Sequence, residues 1–421
     1  MIRFKTLEVT DWRQFRSVNV EFHPRATVIV GANGSGKTSL LNILSQQLGW
    51  VREFVGTPTI DEETGDTKYL TGFTKKTKGH RDRIGSLTYV IEGGTESKAN
   101  LLAPTEGTTF EVISEKTIMR GVPGIYITSH RPAYFYQPIE QIPTKVQAGE
   151  VLLNQYVINL WNFHNSHNIH MIKSPSFTLK GALISLATFG YGNEVVKENR
   201  EARETFEGFS DTLRKVLPGS LKFRRIAIRM PEVVLETGTG NFSLDAASGG
   251  LAALMDIAWQ IHMKSRLSKE FTVLIDEPEN HLHPSLQRAL LPGLVKAFPQ
   301  AQFIAATHNP FVVTSVQESN VVVLDFVDGC VESTQLKDEE VDRSATVNQV
   351  LTDVLGVPFP APLWVEHELD RIVKSVQGKE LNAEILSGLR SDLTRVGLGS
   401  MFPEVIDRVL PADNGAGEGR V

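Results

Sequence analysis

The chain has 421 residues, of which 41% are hydrophobic and 22% charged, a composition typical of a globular protein that can bury a large core. The net charge of -6 excludes a surface that is basic throughout, and the single cysteine, Cys330, excludes an internal disulfide and a cysteine-based zinc site. No apolar run is long enough to span a bilayer and no apolar signal segment opens the chain, so we expect a cytoplasmic protein with no membrane partner.

The first half of the chain predicts strands and then helices. Residues 2–9 and 18–22 alternate in polarity, and residues 26–30 form the continuous apolar run of a strand buried on both faces. A glycine-rich loop and a helix follow. We expect residues 51–130 to form an antiparallel β lobe inserted after this helix, and residues 145–215 to form a helical insertion.

From residue 242 onwards, strand and helix patterns alternate. This alternation predicts an α/β fold with a mostly parallel core sheet and helices on its faces. The predicted order is a helix, strand 271–276, helix 284–297, strand 301–306, a helix near 310–317 and strand 320–325. We therefore predict one domain over 1–335, a C-terminal helical segment over 336–410 for partner contact or oligomerisation, and a disordered tail over 411–421.

The loop Gly31–Thr38 has the sequence GANGSGKT, and it lies between the buried strand and a helix. Converging backbone N–H groups, a lysine charge and a helix N-terminus together make a phosphate-binding loop. We predict an ATP site whose phosphates contact Asn33, Gly34, Ser35, Gly36, Lys37, Thr38 and Ser39. The alternative is a glycine turn that binds nothing.

Two acidic residues end the apolar strand 271–276. Asp276 is expected to hold Mg²⁺ together with the Thr38 hydroxyl, and Glu277 is expected to orient the attacking water. His308 follows the next strand, so in a parallel sheet it should lie near the γ-phosphate and act with Glu277 in catalysis. The alternatives are two solvated acids at a strand end and a structural histidine.

A second glycine motif begins the helical pattern after residue 242. Ser248, Gly249 and Gly250 would give a second anion-binding helix N-terminus, and one chain needs only one phosphate cradle. We expect this signature loop to cap a γ-phosphate bound to another subunit. By itself the motif is better explained by a helix N-cap, and the other motifs are what favour the signature loop.

Together these segments resemble the soluble ABC-type ATPases related to RecF, the SMC proteins and the OLD family. The resemblance lies in GANGSGKTSLLN (31–42), SLDAASGGLAAL (243–254), LIDEPENHLHPSLQ (274–287) and AATHNP (305–310). It implies a P-loop head domain that forms a homodimer or higher oligomer around shared ATP sites. Gln137 is the candidate for the glutamine that this family places in its lid. Leu251 replaces the polar residue that usually ends the signature, which would slow hydrolysis or make it depend on a partner.

The resemblance extends to the ATPase halves of Septu-, retron- and PARIS-type systems. It implies an ATPase that controls a DNA-maintenance or anti-phage complex with a separate effector, a nuclease or a toxin. The basic runs 75–83 and 222–229 add DNA or RNA as an expected contact. Two alternatives stay open: a nucleotide-dependent scaffold or sensor with little turnover, and the ATPase subunit of a transporter.

Overall fold

The computed structural model describes residues 2–50, 52–61, 64–72, 81–115, 121–143, 147, 149–165, 173–337, 347–355, 363–376 and 382–409. The chain divides into two compact units, Met1–Val350 and Leu351–Val421. Every residue of the predicted nucleotide site belongs to the first unit. The predicted disordered tail, 411–421, lies outside the described residues.

The strands that the structure describes belong to the first unit, and it describes helices in both units. The described strands are β1 (Arg3–Trp12), β2 (Phe15–Glu21), β3 (Ala26–Gly31), β4 (Phe54–Val55), β5 (Thr57–Ile60), β6 (Thr67–Leu70), β7 (Arg81–Val90), β8 (Glu96–Pro104), β9 (Thr109–Phe110), β10 (Ile113–Ser114), β11 (Gly124–Ile127), β12 (Phe223–Arg229), β13 (Glu232–Thr237), β14 (Phe242–Ser243), β15 (Phe271–Asp276), β16 (Ala301–Thr307), β17 (Ser319–Val327) and β18 (Cys330–Leu336). The described helices of the first unit are α1 (Lys37–Gln47), α2 (Gly149–Asn165), α3 (Pro175–Tyr191), α4 (Arg200–Val216), α5 (Gly249–Leu267), α6 (Pro284–Ala297), α7 (Pro310–Val313) and α8 (Val347–Gln349), and those of the second are α9 (Leu363–Val376), α10 (Ala383–Arg395) and α11 (Phe402–Val409).

One large mixed sheet organises the first unit and confirms the predicted fold class. Its eleven strands run in the order β10-β8-β7-β1-β2-β18-β17-β3-β16-β15-β11. The five strands from β17 to β11 are parallel to one another and form the core. The remaining strands pair antiparallel, except that β18 joins β2 in parallel.

Strand β11 lies where the sequence did not predict it. It falls within residues 51–130, the expected β lobe, yet it pairs in parallel with β15 at the edge of the core sheet. Strands β7 and β8, from the same region, pair with β1 and continue the main sheet. The inserted region therefore supplies strands to both edges of one sheet.

Burial explains why the site forms at one edge of this core. Every residue of β3, β15 and β16 is buried, as expected for parallel strands covered on both faces. The carboxyl ends of these adjacent parallel strands meet at the same edge of the sheet. That edge carries Gly31, Asp276 and Thr307, and the loops that follow them carry the predicted site residues.

The helix that follows the signature motif, α5, is the centre of a helical layer. The Tyr156 hydroxyl of α2 donates a hydrogen bond to Asp256 of α5 at 2.7 Å. Phe209 of α4 packs edge-on against Trp259 of α5, with ring centroids 5.0 Å apart. His262 of α5 bonds through Nε2 to the Thr205 carbonyl at 2.9 Å. These contacts fix α5 against α2 and α4.

The second unit has a small apolar core of its own. Buried side chains from α9, α10 and α11 and from the turn after α10 make up this core: Val365, Leu369, Ile372, Val376, Leu389, Leu393, Leu398 and Val405. Among the helices that the structure describes in either unit, none combines the length and apolarity that crossing a membrane requires.

Candidate functional site: a phosphate loop facing a carboxylate strand

The glycine-rich loop joins β3 to α1 and is closed by its own lysine. Lys37 Nζ donates to the carbonyls of Gly31 at 2.7 Å and Ala32 at 3.0 Å. Burial lowers the pKa of Lys37, while Glu277 and Asp276 act against this shift. The Ser35 hydroxyl is buried and has no hydrogen-bond partner among the described residues. The loop thus presents buried donors that a phosphate could engage.

Gly36 shows why this loop needs glycine. It is the N-cap of α1, and its φ of 96° lies in the left-handed region. A Cβ at this position would lie 2.4 Å from Gln14 Nε2 and 2.4 Å from Phe15 Cζ. Asn33, Gly34 and Thr38 are exposed beside it and Ser39 is half-buried, so the loop offers an accessible face.

Asp276 and Thr38 meet directly. The Thr38 hydroxyl donates to Asp276 Oδ2 at 2.9 Å, and Asp276 is only 4% exposed. Burial raises the pKa of Asp276, opposed by the Thr38 hydrogen bond and by the charges of Arg131 and Lys37. Asp276 Oδ1 is buried and accepts no hydrogen bond from the described residues. A carboxylate with an unused oxygen beside a hydroxyl is a donor set that fits Mg²⁺.

Glu277 occupies a strained turn after β15. Its φ of 43° is left-handed, which is costly for a residue with a side chain, and its N–H donates to the Ala306 carbonyl at 2.8 Å. Glu277 Oε1 lies 3.2 Å from His308 Nδ1, and Oε2 accepts from Asn280 Nδ2 at 2.9 Å. The carboxylate is thus held between a histidine and an amide.

Two contributors to this arrangement were not predicted from the sequence. Asn280 binds Glu277 and also donates to the Ser129 carbonyl at 3.1 Å; it lies within the quoted carboxylate motif, which was the available signal. Arg131 donates through one nitrogen to the carbonyls of Asp276 at 3.1 Å and Glu277 at 3.4 Å. No spacing or local pattern marks Arg131, because its contacts lie 145 residues away.

The signature loop faces outward. Ser248 is the N-cap of α5, and both Ser248 and Gly249 are exposed. Gly250 packs against the turn after β15. A Cβ on Gly250 would lie 3.1 Å from the His281 carbonyl oxygen. Among the described residues, no hydrogen bond links these three residues to the phosphate loop. Within the described part of one chain, the two glycine motifs are therefore not hydrogen-bonded to each other.

Gln137 lies in the segment that follows β11, and it contacts the start of α3. Its side-chain oxygen accepts a hydrogen bond from the Ser174 N–H at 2.7 Å, and its carbonyl accepts one from Lys180 at 2.9 Å. The strand end beside β15 instead carries His130, which lines a cavity of about 740 Å³ together with Thr38 and Asp276. His130 is thus one of the side chains that share a cavity with the predicted metal ligands, and Gln137 is not among them.

The basic run near β12 is partly neutralised. Glu236 accepts from Arg225 at 2.8 Å and from Arg229 at 3.1 Å. Within the other run, residues 75–80 lie outside the described residues.

Comparison with known proteins agrees with this geometry. A family model described as "AAA domain, putative AbiEii toxin, Type IV TA system" matches residues 192–314, and one described as "AAA domain" matches residues 6–118. The first range contains the signature motif, the carboxylates and His308, and the second contains the phosphate loop.

Three relatives cover the chain to different extents. The "Retron Vc95 probable ATPase" of Vibrio cholerae is 23% identical, over 78% of this chain and 74% of its own length. The Septu protein PtuA of Bacillus thuringiensis is 24% identical, over 36% of this chain and 42% of its own. RecF of Pseudomonas putida, a DNA replication and repair protein, is 33% identical, over 24% of this chain and 29% of its own.

Among solved structures, an SmcHead bound to the C-winged helix domain of ScpA aligns with a TM-score of 0.47 and 14% identity, covering 80% of this chain and 98% of that chain. The two family models match the segments that build the phosphate loop and the carboxylate edge. The chain is an ATPase with two segments that match AAA-domain models, and it is similar to a retron ATPase and to RecF.

Proposed function

We propose that the chain uses ATP to bring two copies together and that this assembly controls a separate effector in anti-phage defence or DNA maintenance. One observation carries the proposal. The phosphate loop and the catalytic carboxylates lie at one edge of the sheet. Ser248 and Gly249 are exposed at the start of a long helix, and among the described residues neither of them is hydrogen-bonded to the phosphate loop. Such an arrangement suits a site that a second copy completes.

The phosphate loop and its neighbours would hold Mg²⁺ and ATP. Lys37 exchanges its two carbonyl partners for phosphate oxygens, and loop N–H groups bind the same phosphates. Thr38 and Asp276 would hold the metal, since they meet at 2.9 Å and Asp276 keeps an unused buried oxygen. Bound Mg²⁺ would neutralise charge on the phosphate oxygens.

Glu277 and His308 would act on the attacking water and the γ-phosphate. In the neutral tautomer that donates from Nδ1 to Glu277, the other ring nitrogen of His308 can only accept a hydrogen bond. Donation to a phosphate oxygen therefore requires His308 to turn away from Glu277 or to gain a second proton. Turning away would free Glu277 Oε1 to orient the water.

The defence and DNA-maintenance settings come from the relatives. Their names include a retron ATPase, a Septu protein and a DNA replication and repair protein. A common role for this chain would be to signal the presence of ATP and of a second copy to an effector on another polypeptide. The C-terminal helices are our candidate for the segment that contacts a partner, and direct nucleic-acid contact belongs to the same proposal.

The test combines Glu277→Gln with Glu270→Gln as a control, since Glu270 is exposed and precedes the amino end of the same strand. Mass photometry with and without ATP and Mg²⁺ would be paired with phosphate release. We expect Glu277→Gln to lose turnover and to accumulate an ATP-dependent larger species. Glu270→Gln should behave like the wild type.

A mixing experiment tests the shared site itself. Lys37→Ala disables the phosphate loop, and Ser248→Arg blocks the exposed signature loop. Each variant alone should be nearly inactive. If sites form between copies, the mixture regains part of the wild-type turnover, because the intact loop of one variant meets the intact signature of the other. A mixture as inactive as its components would refute sharing.

A further inference from the structure

Arg131 is a buried cation that holds the backbone of the carboxylate strand. It follows β11 and is 7% exposed. One guanidinium nitrogen donates to two consecutive carbonyls, those of Asp276 and Glu277. A charged donor to a carbonyl is stronger than a neutral one, so these bonds fix the peptide on which both acidic side chains are carried.

The backbone at this point needs such support. Glu277 has a left-handed φ of 43°, which costs a residue with a Cβ about 1–2 kcal/mol. Strained conformations persist only where the surroundings over-determine them. Here Arg131 binds the carbonyls on either side of the strained residue, and the Ala306 carbonyl accepts its N–H. The direction of the Glu277 carboxylate thus depends on Arg131.

The opposite charge for Arg131 lies on α5. Asp256 is 1% exposed; its Oδ1 accepts from Tyr156 at 2.7 Å and from Gln260 at 3.1 Å. Asp256 Oδ2 and Arg131 Nε and Nη1 are buried and have no hydrogen-bond partner among the described residues. Burial raises the pKa of Asp256, and Arg131 is the foremost charge that opposes this shift. Burial lowers the pKa of Arg131, and Asp256 is in turn the foremost charge that opposes that shift, ahead of Asp276 and Glu279.

Asp256 lies about two turns along the helix that Ser248 caps. We infer that Arg131 is a positioning residue that couples the signature helix α5 to the catalytic carboxylate Glu277. When the N-terminus of α5 engages nucleotide on a second copy, a shift of Asp256 changes the field at Arg131 and so the turn that aims Glu277. This inference rests on the proposed role of Glu277 in hydrolysis.

Three variants separate positioning from folding. Arg131→Lys keeps a charge opposite Asp256, but its shorter side chain does not bring a nitrogen to the place from which the single Arg131 nitrogen donates to both carbonyls. Arg131→Met with Asp256→Asn removes both buried charges together, which avoids leaving one uncompensated. Arg25→Lys is the control, because Arg25 also donates to two backbone carbonyls, those of Pro299 and Val295, away from the site.

We expect Arg131→Lys and the double variant to lower kcat by about 10-fold to 100-fold, as misplaced catalytic groups do, with KM and ATP affinity close to wild type. Arg25→Lys should leave kcat unchanged. Melting temperatures, measured in parallel, should fall most for Arg131→Met alone and recover in the double variant.

Wild-type kcat in Arg131→Lys or in the double variant would overturn the inference. It would also be overturned if every loss of kcat were matched by an equal loss of folded, nucleotide-binding protein, since Arg131 would then be structural. Glu277→Gln is assayed alongside. If Glu277→Gln keeps its turnover, the proposed function fails; if only the Arg131 variants keep theirs, the inference alone fails.

Discussion

Lys180 offers a sharp test of what holds the signature region in place. Its side chain on α3 is 0% exposed, and Nζ donates to Asp245 at 2.5 Å, to Glu232 at 2.8 Å and to the Gln137 carbonyl at 2.9 Å. Burial lowers the pKa of Lys180, but the hydrogen bonds from its ammonium to Asp245 and Glu232 raise it on balance. The ammonium therefore stays charged at neutral pH and ties α3 to the residues just before the signature.

Replacing Lys180 with methionine keeps most of the volume and removes the charge. The second carboxylate oxygens of Asp245 and Glu232 already have no partner among the described residues, so no other donor is at hand. Breaking a buried ion pair by removing one partner costs about 3–5 kcal/mol. This is a large part of the roughly 5–15 kcal/mol that stabilises a folded domain. Urea unfolding followed by tryptophan fluorescence would measure it, since Trp259 is buried in the same unit.

Two comparisons make the Lys180 result decisive. Arg225→Met removes an exposed pair with Glu236 and should leave the urea midpoint almost unchanged. Adding Asp245→Asn and Glu232→Gln to Lys180→Met should recover most of the loss, because no uncompensated charge remains buried. A loss below about 1 kcal/mol would refute the argument, since it would equal that of a surface pair.

Three further predictions concern single residues. Burial lowers the pKa of His262 from its ordinary value of 6.5 to about 4. Between these two pH values the unfolded chain binds a proton at this histidine and the folded protein does not. The contribution of neutral His262 to stability is therefore complete above pH 6.5 and is lost as the pH falls toward 4. The loss should reach about 2 kcal/mol at about pH 5 in urea titrations, and His262→Gln should flatten this slope; an unchanged slope would contradict the assignment. Gly36→Ala should weaken ATP binding at least about 10-fold in calorimetry, because its Cβ would collide with Phe15 in a left-handed backbone; wild-type affinity would show that the loop adapts. Thr38→Val should raise the Mg²⁺ concentration needed for half-maximal phosphate release about 10-fold or more, since it removes the hydroxyl bound to Asp276; an unchanged requirement would argue against a metal role for Thr38.

The parts of the structure that follow local rules could be predicted from the sequence. Strands β15 and β16 and helix α6 occupy the residues that their patterns indicated, because buried parallel strands are continuous apolar runs. The meeting of Thr38 with Asp276 follows from the same logic, since neighbouring parallel strands end at one edge. The two local motifs and the rule that parallel strands end at one edge were together sufficient to predict this contact.

The parts that depend on distant pairing could not be predicted. Strand β11 has only four residues. Their pattern does not indicate whether β11 pairs with β15, as it does, or with another strand of the inserted region. Arg131 gains its role only because β11 lies at that position. In the sequence, Lys180 has the pattern of an ordinary helical lysine. Its buried ion pairs with Asp245 and Glu232 become visible only in the folded structure. Each of these is a tertiary contact without a local signature.

The contacts at the site also suggest why turnover would depend on assembly. Each group that would act on ATP is bonded to protein here: Lys37 to two loop carbonyls, Thr38 to Asp276, and Glu277 to both His308 and Asn280. Bound phosphate can replace the partners of Lys37 directly, because those partners are neutral carbonyls. Glu277 is different. Arg131 holds the backbone turn that carries Glu277. Its partner His308 must move or bind a proton before it can donate to phosphate. On the proposed mechanism, nucleotide binding and activation of the water would therefore be separate steps, and only water activation would depend on Arg131 and the signature helix.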